Sequence, residues 1–243
     1  SIMEGLELGA GDRITVYKAN MIIPQIADDL TRSGVRDIPK ICPVCGGKTE
    51  IRSLNDVKSL YCTNPECQAK KIKSFTLFVS RDALNIDGLS EATLEKFIGA
   101  GFIHEFADIF RLKEHFGEIS QMEGFGEKSV ANMEQSIEKS RQVHPVNFIF
   151  ALCIPLIGVD AGKKIVAAIG FEGFLQRLHQ GDGFEDIEGI GAERSRSIVT
   201  WYQNEKNHSG FEDLLHELSI EHVEVQDTSS GSCAGLSFVI TGD

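Results

Sequence analysis

Met122-Glu123-Gly124-Phe125-Gly126-Glu127-Lys128-Ser129 is a glycine-punctuated turn that runs straight into a helical pattern. The two glycines permit a tight turn with positive φ and let a ligand approach the backbone with no Cβ in the way. The helix that follows aims its unpaired N–H groups, and the positive end of its dipole, at whatever lies over the turn. Such a place accepts an anion, and in a repeated array the natural anion is a nucleic-acid phosphate. Related stretches recur at Asp87-Gly88-Leu89-Ser90, Ile157-Gly158-Val159-Asp160 and Glu188-Gly189-Ile190-Gly191. Counted from the first glycine of each, the spacings are 36, 34 and 31 residues, a period typical of stacked supersecondary units. Both glycines are present at 124/126 and 189/191, whereas Ser90 and Asp160 stand in the second position of the other two. Those two turns are therefore expected to serve packing. A single Gly-apolar-Gly would read as a plain turn. Four of them, each followed by apolar residues at helical spacing such as Val130, Met133 and Ile137, predict helix–hairpin–helix units.

Composition narrows the setting. A chain of 243 residues with 42% apolar content is expected to form two or more compact units. The longest apolar run, Phe148 to Val159, is interrupted by Pro155 and too short to span a bilayer. With no signal-peptide pattern and no membrane span, the expectation is a cytoplasmic protein, and nothing points to an obligate oligomer. The net charge of −12 speaks against a nucleic-acid partner if read globally. Its distribution is uneven: residues 39–81 carry eight Lys/Arg against three Asp/Glu, and residues 82–222 carry twelve against 24. Binding through backbone N–H groups needs little side-chain charge, which softens the objection.

Taken in order, residues 1–38 show an alternating strand over Arg13–Lys18 and a second over Met21–Ile26, in which Pro24 favours an edge. Two strands do not make a stable domain alone, so this stretch is expected to be the end of a β-domain. Residues 39–70 hold Cys42-Pro43-Val44-Cys45-Gly46-Gly47 and Cys62-Thr63-Asn64-Pro65-Glu66-Cys67. Four thiolates at this spacing suit a closed, tetrahedral structural Zn²⁺. So short a stretch has little core, and the metal is expected to supply its folding energy. Cys153 and Cys233 lie in apolar surroundings and read as packing residues, and no histidine falls in a metal or triad spacing. Residues 71–222 are mainly helical, 223–235 read as a linker, and 236–243 read as one strand of a further domain.

The order of these parts resembles the C-terminal half of a bacterial NAD-dependent DNA ligase. In that family an oligonucleotide-binding (OB) β-barrel is followed by a Cys₄ zinc module, four helix–hairpin–helix motifs and a BRCT domain. Gly11-Asp12 through Pro24-Gln25-Ile26 looks like the end of the barrel, and Cys42-Pro43-x-Cys45-Gly46 with Cys62-x-Asn64-Pro65-x-Cys67 looks like the zinc site. Phe78-Val79-Ser80-Arg81-Asp82-Ala83-Leu84-Asn85-Ile86-Asp87-Gly88-Leu89 is close to the family's junction between zinc module and helices, and Phe238-Val239-Ile240-Thr241-Gly242 looks like the first BRCT strand. Departures are Gln68-Ala69-Lys70, where the family tends to Pro-Ala-Gln, and Leu77, where His is frequent. The implied fold is multidomain and mainly α: a tandem helix–hairpin–helix array behind a small Cys₄ module and the last strands of a barrel.

The resemblance implies a grip on duplex DNA around a nick, independent of base sequence, by a monomer working in replication and repair. Candidate contacts are Gly88, Gly124, Gly126, Gly158, Gly189 and Gly191 through the backbone, and Lys128, Lys163, Lys164, Arg194 and Arg196 through side chains. It also implies a module that holds the barrel and the helices at a fixed angle. Such ligases adenylate a lysine in Lys-x-Asp-Gly, and no lysine here is followed two positions later by Asp-Gly. This stretch is accordingly expected to be inactive alone. NAD and Mg²⁺ would belong to the parent ligase, leaving structural zinc as its own cofactor. Two rival readings are a non-ligase DNA-repair protein with the same motifs and a protein-interaction scaffold whose turns are purely structural, which the acidic balance favours.

Overall fold

A computed structural model describes residues 2–35, 38–54 and 57–223. The expected strand over 236–243, and the linker beyond Val223, lie outside the described residues. The chain divides into two compact units, with the boundary between Lys71 and Ile72.

The first unit is built from two-stranded sheets. A short helix α1 (Ile2–Gly5) precedes β1 (Ile14–Ala19), which pairs antiparallel with β2 (Ile23–Asp29). The pair bulges between Thr15 and Val16. Its apolar side chains gain little cover: Val16, Met21, Ile22 and Ile23 are all exposed, Met21 to 87%. A second hairpin, β3 (Thr49–Leu54) with β4 (Val57–Cys62), sits between the two cysteine pairs. Sequence reading did not anticipate it, although Thr49, Ile51 and Ser53 alternate as a strand should.

The second unit is helical around a continuous apolar core. It takes in most of α2 (Gln68–Phe78), then α3 (Glu91–Gly99), a 3₁₀ helix (Phe106–His115), α4 (Phe116–Ile119) and α5 (Glu127–Lys139). After β5 (Gln142–Val143) come α6 (Pro145–Ala151), α7 (Val159–Gln180), α8 (Ala192–Gln203), α9 (Glu205–Glu217) and β6 (Ser219–Ile220). Phe78, Phe97, Phe148, Phe174, Phe184 and Phe211 are fully buried, each worth about 2–3 kcal/mol of apolar transfer. Gly170 interrupts α7 with φ 65° and ψ −178°, splitting it into two helices that meet at a kink.

Charge ties the end of α9 back to the 3₁₀ helix and to the residue before β5. Glu217 accepts from Arg111 Nε at 2.8 Å and from Arg141 NH1 at 2.9 Å, while Arg141 NH2 donates to the Phe110 carbonyl at 2.9 Å. Burial works against the charged form of Glu217, but Arg141 and Arg111 outweigh it and hold its carboxyl below the usual range. The cluster fastens the C-terminus of α9 beside the two-residue parallel pair β5–β6. These two arginines are thereby spent on structure.

Candidate functional site

The four cysteines come together. The sulfurs of Cys42, Cys45, Cys62 and Cys67 all lie within 4.8 Å of one another, with Cys42–Cys67 at 3.9 Å and Cys45–Cys62 at 3.5 Å. Tetrahedral Zn–S bonds of ~2.3 Å place sulfurs about 3.8 Å apart, so the donor set fits one zinc ion with no position left for substrate. The first pair sits in a knuckle: Gly46 N–H donates to Cys42 O at 2.9 Å, Cys42 N–H to Gly47 O at 2.7 Å, and Gly46 takes φ +68°. Backbone N–H groups of Cys45 and Val44 hold the Cys42 thiol below its ordinary pKa. Gly47 N–H, 3.4 Å from Cys45 Sγ, and the Asn64 side chain lower Cys45 to about 6. Cys62 is pushed the other way, to about 11, by burial. A Cβ on Gly47 would sit 3.0 Å from Asn64 Cβ and 3.2 Å from Cys45 Sγ, so glycine is what lets the chain close over the sulfurs. Cys153 stands apart in the second unit, its thiol pushed up to about 12 by burial.

The four turns of the second unit share one backbone. Gly88, Gly124, Leu156 and Gly189 have φ of +88°, +91°, +68° and +82°. Two residues later, Ser90, Gly126, Gly158 and Gly191 cap α3, α5, α7 and α8, all with extended backbone. The residue between is the anchor: Leu89, Ile157 and Ile190 are buried and Phe125 partly so. N–H groups of Phe125, Ile157 and Ile190 each donate to the carbonyl three residues back, as a type II turn with a left-handed third residue requires.

This corrects the register expected for the third turn. Gly158 is the counterpart of Gly126 and Gly191, the left-handed place belongs to Leu156, and Asp160 is the second residue of α7 instead of a turn position. The repeat of caps is 36, 32 and 33 residues. Leucine escaped notice because only its φ, and no residue type, marks the position.

The two glycine places differ in what they face. A Cβ added at Gly126, Gly158 or Gly191 would meet nothing within 4 Å. None of those three caps supplies a side-chain acceptor, whereas Ser90 accepts from Thr93 N–H at 3.2 Å. The first place is packed: a Cβ at Gly88 would touch Met133, and one at Gly189 would lie 2.7 Å from Lys164 Nζ. Of the expected basic contacts, Lys128, Lys163 and Arg196 are exposed. Arg194 donates to Gly189 O at 2.9 Å, and Lys164 pairs with Asp160 at 2.9 Å.

The turns also pair, which sequence reading missed. Across the first and second, Asp87 N–H donates to Ser136 Oγ at 2.7 Å, Lys96 Nζ donates to Glu123 O at 3.2 Å, and the Phe97 and Phe125 rings are 5.2 Å apart. Across the third and fourth, Ser197 Oγ donates to Pro155 O at 2.6 Å and Lys164 lies over Gly189. Lys96, Lys164 and Ser197 all stand six residues beyond a cap. That common offset was the available signal.

Comparison with known proteins agrees with the cysteine site. Residues 42–69 match the NAD-dependent DNA ligase C4 zinc finger domain. Over 242 residues, all of this chain, it is 54% identical to the DNA ligase of Lachnoclostridium phytofermentans, and over 244 residues it is 48% identical to that of Ruminiclostridium cellulolyticum. The whole of the chain therefore resembles part of proteins named DNA ligase, and its cysteine segment resembles the zinc finger of the NAD-dependent kind. The chain spans 37% of the length of each of these two relatives. The DNA ligase of Thermosipho africanus is 37% identical over 97% of the chain, again across 36% of its own length. Likeness over the full length of the chain favours the ligase reading over a non-ligase repair protein. The Cys₄ set is the ligase zinc finger, and its zinc is structural. No helix among the described residues is long and apolar enough to cross a membrane.

Proposed function

We propose that this chain is the DNA-holding portion of an NAD-dependent DNA ligase, from its C-terminal half, and that it grips nicked duplex through phosphates without reading bases. The observation that carries this is the set of helix N-termini behind Gly126, Gly158 and Gly191, which have no side-chain cap and face open space. Unpaired N–H groups and the helix dipole favour phosphate oxygens there. In this reading the four turns are helix–hairpin–helix units, and Gly88, with Ser90 already capping, contributes shape more than contact. The β1–β2 ribbon is the end of an OB barrel, which accounts for its exposed Val16, Ile22 and Ile23. Zinc closes the module between. Adenylation falls to residues outside this stretch, in keeping with the lack of Lys-x-Asp-Gly, and the whole ligase seals the nick.

The net charge of −12 favours a second reading, a scaffold for protein partners. Fluorescence anisotropy of a labelled nicked duplex, titrated at several salt concentrations, separates the two. Binding should weaken linearly on a log–log plot with a slope of about −0.9 per phosphate contacted. A scaffold would show no binding even at low salt, and that result would overturn the proposal.

A further inference from the structure

We infer that Lys96 and Lys164 are phosphate-contact residues that fuse the turns into two composite sites, and that Asp160 occupies the second site until DNA displaces it. The inference rests on the DNA-holding reading above.

Both lysines stand six residues beyond the cap of an odd-numbered turn, Ser90 or Gly158, and both cross to the even-numbered partner. Lys96 donates to Glu123 O, beside Gly124, and lies 5.6 Å from the Phe125 ring centroid. Lys164 fills the space that Gly189 leaves bare, its Nζ 2.7 Å from where a Cβ would be and its Cδ 3.0 Å. Each ammonium is thus held by a neighbouring turn, next to the uncapped helix that the turn introduces. Purely structural ties would need no charge: Ser197, at the same offset in α8, ties Pro155 O with a hydroxyl. An ammonium has three donors and stays outside the core here, with Lys96 exposed and the Lys164 side chain 41% exposed.

The two sites differ in one carboxylate. Asp160, on the first turn of α7, pairs with Lys164 at 2.9 Å, and Lys164 first, then Arg194 and Lys163, hold its pKa below the ordinary value. An exposed carboxylate among three cations stands where a phosphate oxygen would be drawn. DNA would exchange one anion for another at this site and add one at the Lys96 site.

The test is the same salt-dependent titration of nicked duplex, run on the chain with Lys96→Gln, Lys164→Gln, the matching Lys→Arg variants and Asp160→Asn, each with its melting temperature. Lys96→Gln should flatten the log–log slope by about 0.9 and weaken binding roughly eightfold at 0.1 M salt, with Lys→Arg restoring both. Lys164→Gln should do less, and Asp160→Asn should tighten binding about threefold, since the resident anion is lost. Glutamine variants that melt early but keep the wild-type slope would make the lysines turn ties only and overturn the inference, leaving the DNA reading intact. An Asp160→Asn that binds no tighter overturns the displacement step. Failure of the unaltered chain to bind overturns the DNA reading, and this inference with it.

Discussion

The two units hold themselves together by different means. In the first, two hairpins leave Val16, Ile22, Ile23 and Ile51 exposed, and four cysteines converge on one point. In the second, six fully buried phenylalanines anchor a core that runs through every long helix. The lesson is about where stability resides. A stretch of some thirty residues cannot bury enough apolar surface to offset its chain entropy, so coordination must do so. A helical unit several times longer closes on its own side chains.

The largest effect that would break this contrast is metal removal. Chelation, or Cys67→Ser, should unfold the cysteine module, since structural zinc contributes on the order of 10 kcal/mol, while the helical far-UV signal of the second unit survives. A melting curve unchanged by chelator would refute the contrast. Next comes the reverse test: Phe174→Ala, at a fully buried position, should cost about 3–5 kcal/mol. The loss should appear in helical melting and leave zinc retention unchanged.

A smaller effect is expected at Glu217. Its pKa is depressed in the folded state, so its stabilisation is present above the unfolded carboxyl value and is lost as pH falls through the folded one. Glu217→Gln should cost about 2 kcal/mol near neutrality and flatten the fall in helical melting temperature between about pH 5 and 3. Smallest is Leu156→Gly. A left-handed leucine carries about 1–2 kcal/mol of strain, partly offset by glycine's greater chain entropy. The variant should melt slightly higher, and a lower melting temperature would show that the Leu156 side chain contributes more than its backbone costs.

Legibility in the sequence followed the distance over which each feature is decided. The zinc ligands and the turns at 124/126 and 189/191 were legible because thiolate spacing and glycine chemistry are local. The third turn was misplaced by two residues, because tertiary packing imposes on Leu156 a conformation its side chain does not advertise. Turn pairing was invisible for a related reason. Asp87 with Ser136, and Pro155 with Ser197, are contacts across 49 and 42 residues that no window of periodicity spans. The β3–β4 hairpin was within reach of pattern reading, since Thr49, Ile51 and Ser53 alternate with the charged Glu50 and Arg52.

Gly170 has a consequence for how this array tolerates change. Although Gly170 divides α7 into two helices, they follow one another with no loop between them, from the third turn toward the fourth. The bearing of one turn against the other is then set by a count of residues, as a gear is set by its teeth. One residue inserted between Ile165 and Gly170 would rotate everything beyond by about 100°, carrying Gly189 away from Lys164 and Ser197 away from Pro155. Length in this segment is therefore constrained more tightly than side-chain identity, and the surface loops are where insertions can be absorbed.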